Sequence, residues 1–199
     1  MKSIQAFSSE GQHFTLFENG TWKINNTLQH QKESFRAFSW GDSIDKVKAS
    51  EAEELIHESD DTLIYKTIVA NFDCFAIYTF IKNKLVMGRY SFQESHTNAQ
   101  SYLHDYWTIK NLLIEKYGDP KETLEFWNNN LYKEDLDEWG MAVSCGHVVF
   151  FEIWDVSDTH IELHLHGDNY ESKLSLMYQS LSLKGLLEQR QKQNAMAGL

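Results

Sequence analysis

Between Glu54 and Phe92 apolar and polar residues alternate with a period of two, in the runs ELIHE, TLIYKTIVA, DCFAIYTFI and KLVMGRYSF. Alternate side chains of a strand face opposite sides, so each run reads as a β-strand. SDD, NFD and KNK separate the runs. Connections this short join antiparallel neighbours and predict a meander. Beyond it the period changes. Tyr102, Tyr106, Ile109, Leu113 and Tyr117 recur at helical spacing, and Leu103, Trp107 and Ile114 widen the stripe. This predicts a helix over Asn98–Tyr117, begun by a capping box of Thr97 and Gln100 and stopped by Gly118 and Pro120.

The pattern then repeats in outline. TLEFW could be a short strand, and Glu134–Ser144 carries Leu136, Trp139 and Val143 at helical spacing. HVVFFEIWD, THIELHLHG and KLSLMYQSL read as three more strands, and Gly185–Leu199 as a fraying amphipathic helix or a tail. At the other end, HFTLF and TWKIN flank Asn19-Gly20, a hairpin turn signal, with a further short strand possible around Ile4–Phe7.

A shorter helix follows FRAFSWGDSIDKVKASE, Phe35 to Glu51. Asp42 or Ser43 can accept from the free N–H groups of its first turn, and Asp42 and Asp45 favour the positive end of its dipole. Gly41 permits a tight bend before the cap, and Phe38 and Trp40 can anchor the helix start. WGDS therefore has a structural reading beside a ligand-binding one, and the structural reading accounts for every residue.

Helices interrupting blocks of antiparallel strands define an α+β fold and not a βαβ repeat. The expected architecture is an antiparallel sheet of about six to eight strands, in two helix-plus-meander halves with helices on one face. Residues 1–34 form a hairpin extension, 35–182 one α+β domain, and 183–199 a terminal helix or tail. With 42% hydrophobic and 14% aromatic residues, the chain can bury a sizeable core.

Trp40-Gly41-Asp42-Ser43 with Val47, followed by YTF and KLVMGRYSF, resembles small bacterial α+β domains. These are the SmpA-type outer-membrane assembly lipoproteins and the β-lactamase-inhibitor-protein-like domains, in which a short helix begins at a Gly-x-Ser turn and packs on a curved antiparallel sheet. Tyr117-Gly118-Asp119-Pro120 is similar to their helix-to-strand turn. The resemblance covers about Phe35 to Phe92. It implies a domain that binds other proteins and performs no chemistry.

A formal charge of −11 argues against wrapping a nucleic-acid backbone, which needs clustered Lys and Arg. It suits a soluble acidic surface, a basic protein partner or an acidic mimic of nucleic acid. MKSIQAFSSE carries no apolar stretch of the ~7–15 residues that a signal peptide needs. No apolar run approaches the ~20 residues of a membrane helix. A cytoplasmic protein is expected, with Cys74 and Cys145 as free thiols.

Four groups of residues are candidates for chemistry or binding. On the strand THIELHLHG, His160, Glu162, His164 and His166 share one face; imidazole and carboxylate suit zinc, and a solvent-facing strand is the competing reading. Ser144-Cys145-Gly146-His147 sets a thiol near an imidazole at a helix-to-strand turn. Tyr78, Phe80, Phe150 and Trp154 share one parity of their strands, and Phe75, Ile77, Val149, Phe151 and Ile153 the other. If helices cover one sheet face, the other presents aromatics to a partner, and the first set is the one nominated. Glu58, Asp60 and Asp61 end an acidic run that could form the rim of such a surface. No Gly-rich phosphate loop, nucleophile elbow or HExxH occurs. The function these features favour is a non-enzymatic protein-binding module: an inhibitor, immunity or accessory factor that needs no cofactor. The alternatives are a zinc-binding protein or enzyme centred on His160, His164 and His166, and an acidic nucleic-acid mimic.

Overall fold

The computed structural model describes residues 3–7, 13–17, 22–24 and 34–197. The chain divides into two compact units, residues 1–33 and 34–199. In the first, β1 (Ser3–Phe7), β2 (His13–Phe17) and β3 (Trp22–Ile24) pair antiparallel in chain order. The β2–β3 pairing agrees with the hairpin reading, while its Asn19-Gly20 turn lies outside the described residues.

The second unit is α+β. Helix α1 (Ile44–Ser50) leads into β4 (Glu54–Glu58), β5 (Thr62–Val69), β6 (Phe72–Ile81) and β7 (Lys84–Phe92). Helix α2 (Gln100–Tyr117) leads into β8 (Glu122–Trp127), α3 (Trp139–Ser144), β9 (Val148–Val156), β10 (Thr159–Asp168) and β11 (Glu171–Ser180). Helix α4 (Lys184–Ala197) closes the chain. The eight strands form one antiparallel sheet in the order β4-β5-β6-β7-β11-β10-β9-β8. Each half is a helix followed by a four-stranded meander, and the last strand of each meander lies at the centre. Five residue pairs, Ser91↔Ser175 to Met87↔Gln179, join the halves.

Two-residue turns set the register of the meanders. Ala70-Asn71, Lys82-Asn83 and Asn169-Tyr170 all have positive φ, the backbone that matches the twist of a tight hairpin. In α1, Ser43 is the N-cap: its side chain accepts from Lys46 N at 3.3 Å. Asp42 Oδ2 accepts from Ser39 N at 2.9 Å, and Gly41 turns at φ 88°. Glu51 ends the helix as its C-cap.

Two expected helix starts are corrected. The Thr97/Gln100 capping box does not form. Helix α2 begins at Gln100, its N-cap Ala99 makes no side-chain bond, and Asn98 Oδ1 accepts from Gln100 N at 2.9 Å. Gln100 is drawn away because its Oε1 accepts from Gly140 N at 2.8 Å and its Nε2 donates to Leu136 O at 3.1 Å. The segment Glu134–Ser144 is helical only from Trp139. A short 3₁₀ turn, Leu136–Glu138, precedes α3, begun by Asp135, whose side chain accepts from Asp137 N at 3.2 Å.

One hydrophobic core lies on one side of the sheet. It joins Phe35, Phe38, Trp40 and Val47 to Leu103, Tyr106, Ile109 and Leu113 of α2 and to the inward side chains of both meanders. Trp107, placed on the apolar stripe of α2 by its spacing, is 42% exposed. Among the described residues no helix is long and apolar enough to cross a membrane.

Candidate functional site

The helix-covered face takes the parity that includes Cys74, Ala76, Tyr78 and Phe80 of β6 and Val148, Phe150, Glu152 and Trp154 of β9. Tyr78, Phe80, Phe150 and Trp154, nominated as exposed partner anchors, are therefore core residues with 0–4% exposure. Their polar atoms are used inside. Tyr78 OH donates to Glu51, and Trp154 Nε1 donates to Gly118 O at 2.9 Å. The reason for the reversal is Glu152. A carboxylate among the inward residues of β9 disguises the buried parity, and at 1% exposure it is tolerated because Tyr106 OH, Thr123 Oγ1 and Lys110 Nζ all donate to it. Burial and the Glu152 charge push the Tyr106 phenol well above its usual range.

A matching network lies in the first half. Arg36 bridges Glu51 (3.2 Å) and Glu53 (3.2 Å) and donates to Thr67 Oγ1 (3.2 Å), while Glu51 also takes the Tyr78 hydroxyl. Each half thus ties down one nearly buried carboxylate with a tyrosine and a cation. His96 and Asp105 make a further pair, Nε2 to Oδ2 at 2.5 Å, at the start of α2. Sequence patterning missed all three networks, because their members lie 9 to 46 residues apart.

The acidic rim is partly neutralised. Glu58 pairs with Lys48 at 2.6 Å, and Asp61 receives Arg190 of α4 together with the Thr62 hydroxyl, so that Thr62 and Arg190 hold its carboxyl below the usual range. Asp60 is exposed.

Among the described residues α2 and the core lie on one face of the sheet. On the other, Ile81 and Val86 are buried outside the core at the end of the β6–β7 hairpin, where α4 contacts β7 and Arg190 donates to Phe80 O at 3.3 Å, and the remaining side chains are half-buried or exposed. Cross-strand register orders its side chains into rows. One row runs Ile64, Ile77, Arg89, Met177, Glu162, Ile153 and Glu122. The next runs Lys66, Phe75, Ser91, Ser175, His164, Phe151 and Leu124. Most of these are half-buried, with Lys66, Arg89 and Glu122 exposed, and Phe126 at the β8 edge is 53% exposed.

The nominated histidines lie on this open face but do not converge. His160 Nδ1 meets Asp155 Oδ1 at 2.8 Å, with Glu162 at 3.9 Å; Glu162 and Asp155 together raise its pKa. The His164 ring is stacked between Phe151 (4.1 Å) and His166 (4.5 Å). Burial, and secondarily the neighbouring His166, push His164 down to about 4, so it is neutral at pH 7. His166 is lowered by burial and by Lys173. Among the described residues no three His, Cys, Asp or Glu side chains are grouped to hold a metal ion. The stack that packs His164 takes it out of any ligand set with Glu162.

Cys145 is the C-cap of α3, and the His147 ring stacks on Tyr132 with centroids 5.5 Å apart. Cys74 is buried, and burial raises its thiol to about 11.

At the seam between the halves the open face changes character. Arg89 and Ser91 of β7 lie beside Met177, Ser175 and Lys173 of β11, with His164 and His166 on the next strand. Arg89 and Lys173 are exposed and, among the described residues, make no ion pair. The signal for Arg89 was present in KLVMGRYSF: a cation in mid-strand, out of phase with Gly88 and Tyr90. Compared with protein-family models, curated proteins and solved structures, the chain finds no match.

Proposed function

We propose that this chain is a non-enzymatic protein-binding module of the cytoplasm and that it engages its partner through the open face of the eight-stranded sheet. One observation carries the reading: half-exposed apolar and aromatic side chains recur on both halves of the face opposite α2, Ile64, Ile77 and Phe75 on the first and Met177, Ile153, Phe151 and Phe126 on the second, with Arg89, Ser91 and Ser175 between them at the seam. Open apolar surface of this kind marks interaction sites, and rigid aromatics on a sheet lose little entropy on binding. The resemblance around Trp40–Ser43 favours the same class of function. The acidic remainder of the surface keeps the free protein soluble and disfavours nucleic acid as the partner.

The test is site-specific photocrosslinking in the native host. A photoreactive residue at Phe126, on the open face, is expected to give a discrete heteromeric adduct. The same residue at Leu112, exposed on the outer side of α2, is expected to give none. Adducts of equal yield from both positions, or from Leu112 alone, would sink the assignment of the face.

A further inference from the structure

Resting on the open-face reading, we infer the chemistry of the partner: the face accepts an extended acidic segment of a protein, whose carboxylate is taken by Arg89 and Lys173 while the segment lies between the Phe75 and His164 rings. Three observations lead there.

The first is charge. The chain holds 29 Asp and Glu against 18 Lys and Arg. Some of the cations are paired within the chain, and others, such as Lys82, Lys116 and Lys192, make no carboxylate pair among the described residues. Arg36, Lys46, Lys48, Lys110, Lys121 and Arg190 are each paired with carboxylates. Arg89 and Lys173 are not so paired among the described residues, although they stand on the central strands. Glu162 is two strands from Arg89, roughly 10 Å at a strand spacing of ~4.8 Å, and lies nearer His160, at 3.9 Å.

The second is relief. In the row Phe75, Ser91, Ser175, His164, Phe151, the two middle residues are small. Phe75 and His164 stand three strands apart, so a saddle about 14 Å wide separates two aromatic shoulders. Its floor offers two hydroxyls, with Arg89 on one side and Lys173 on the other. One strand-like segment fits that width, with one set of alternate side chains directed to the floor.

The third is the local field. Burial lowers both His166 and His164, and Lys173 adds to the lowering of His166. Lys173 thus places a fixed positive charge beside the strip, where it would attract an incoming carboxylate. Two fixed cations suit one carboxylate; a nucleic-acid backbone needs a longer basic track and would be repelled by the net charge of −11.

The experiment is a nuclear magnetic resonance titration of the full chain with three probes: N-acetyl-Phe-Glu-Phe amide, the same peptide with Gln for Glu, and an oligothymidylate. The Glu peptide is expected to shift the Arg89 Nε–H and the His164 and His166 ring signals saturably, and to bind about threefold or more tighter than the Gln peptide. Arg89→Met, at an exposed position that leaves the fold intact, should abolish the Glu-over-Gln preference, and Lys173→Met should reduce it. Equal affinity for the two peptides, an unchanged preference in Arg89→Met, shifts confined to other surfaces, or no saturable shift at all would overturn the inference. Tighter binding of the oligothymidylate would also overturn it and assign the strip to nucleic acid. If apolar contacts bind both peptides equally at the face while crosslinking at Phe126 succeeds, the acidic-segment inference fails and the open-face reading stands.

Discussion

Gly88→Ala is a one-carbon change with a large expected cost. The backbone at Gly88 is not left-handed, so conformation does not forbid a side chain. Space does. A Cβ built on Gly88 would lie 2.0, 2.1 and 2.6 Å from three carbons of the Phe35 ring, which would have to retreat by roughly 1.5 Å to reach ordinary contact. Phe35 is 1% exposed, with the rings of Tyr78, Tyr90 and Tyr178 at 5.0, 4.8 and 5.6 Å. Squeezing the ring into this filled space costs ~1–3 kcal/mol, and expelling it costs ~3–5 kcal/mol. A loss of about 3 kcal/mol is expected, or ~6–12 °C in Tm for a chain of this size. Urea denaturation followed by tryptophan fluorescence, with calorimetry, measures it. The decisive comparison is a double-mutant cycle. Phe35→Ala alone should be severe, but in its background Gly88→Ala should cost less than about 1 kcal/mol, because the obstruction has gone. Additive effects, or a neutral Gly88→Ala in the parent protein, would refute the reasoning.

Three further outcomes follow from the same structure. Asp42→Ala with Ser43→Ala should cost about 1–2 kcal/mol through the lost cap of α1, measured by urea denaturation, with the Glu-peptide affinity unchanged. Glu152→Ala should cost ~3–5 kcal/mol in the same assay, since Lys110, Tyr106 and Thr123 are all left without their acceptor, and a stable variant would show the network to be dispensable. His164 has a folded pKa of about 4 against ~6.5 unfolded, so the unfolded chain binds more protons between those values. Stability from this group is fully present above pH ~6.5 and falls as the pH drops toward 4; a His164→Phe variant should show a shallower decline of its urea midpoint across that window, and an unchanged decline would mean the ring titrates freely.

Periodicity carried the fold because the strands and α2 keep a strict pattern over their full length. Period two separates a strand into two sets of side chains, but it names the buried set only when one set is clearly more polar. In β9 the sets are Val148, Phe150, Glu152, Trp154 and Val149, Phe151, Ile153, and the buried one holds the carboxylate. Its partners come from α2 and β8, and a tertiary network of that kind leaves no local trace. The same holds for Gln100. Its spacing from Thr97 satisfies a capping box, yet the first-turn N–H of the buried Gly140 on α3 competes for the side chain and wins. Turns at Ala70-Asn71 and Lys82-Asn83 were legible as breaks. Their positive φ at Ala70 and Lys82 was not, because the hairpin twist imposes it on whichever residues occupy the two positions.

The stretch Phe35–Ser43 gains its meaning from where the halves meet. Five residue pairs between β7 and β11 join the halves of the sheet among the described residues, and the strip of Arg89, Ser91, Ser175 and Lys173 straddles them. Behind that seam Phe35 touches Tyr78 and Tyr90 of the first half and Tyr178 of the second. Trp40 Nε1 donates to Thr159 Oγ1 of the second half at 2.9 Å, while the backbone of Gly41 and Asp42 pairs with Leu85 of the first. WGDS is thus both a helix start and a clasp across the halves. The helix-side face carries the stabilising contacts, so open-face residues can be replaced at small cost in stability, whereas loosening the clasp alters the spacing of groups it never touches. Trp40→Phe keeps most of the burial and removes the bond to Thr159. It should therefore weaken the Glu-peptide interaction by more than its modest loss of stability accounts for, by changing the distance between Arg89 and Lys173.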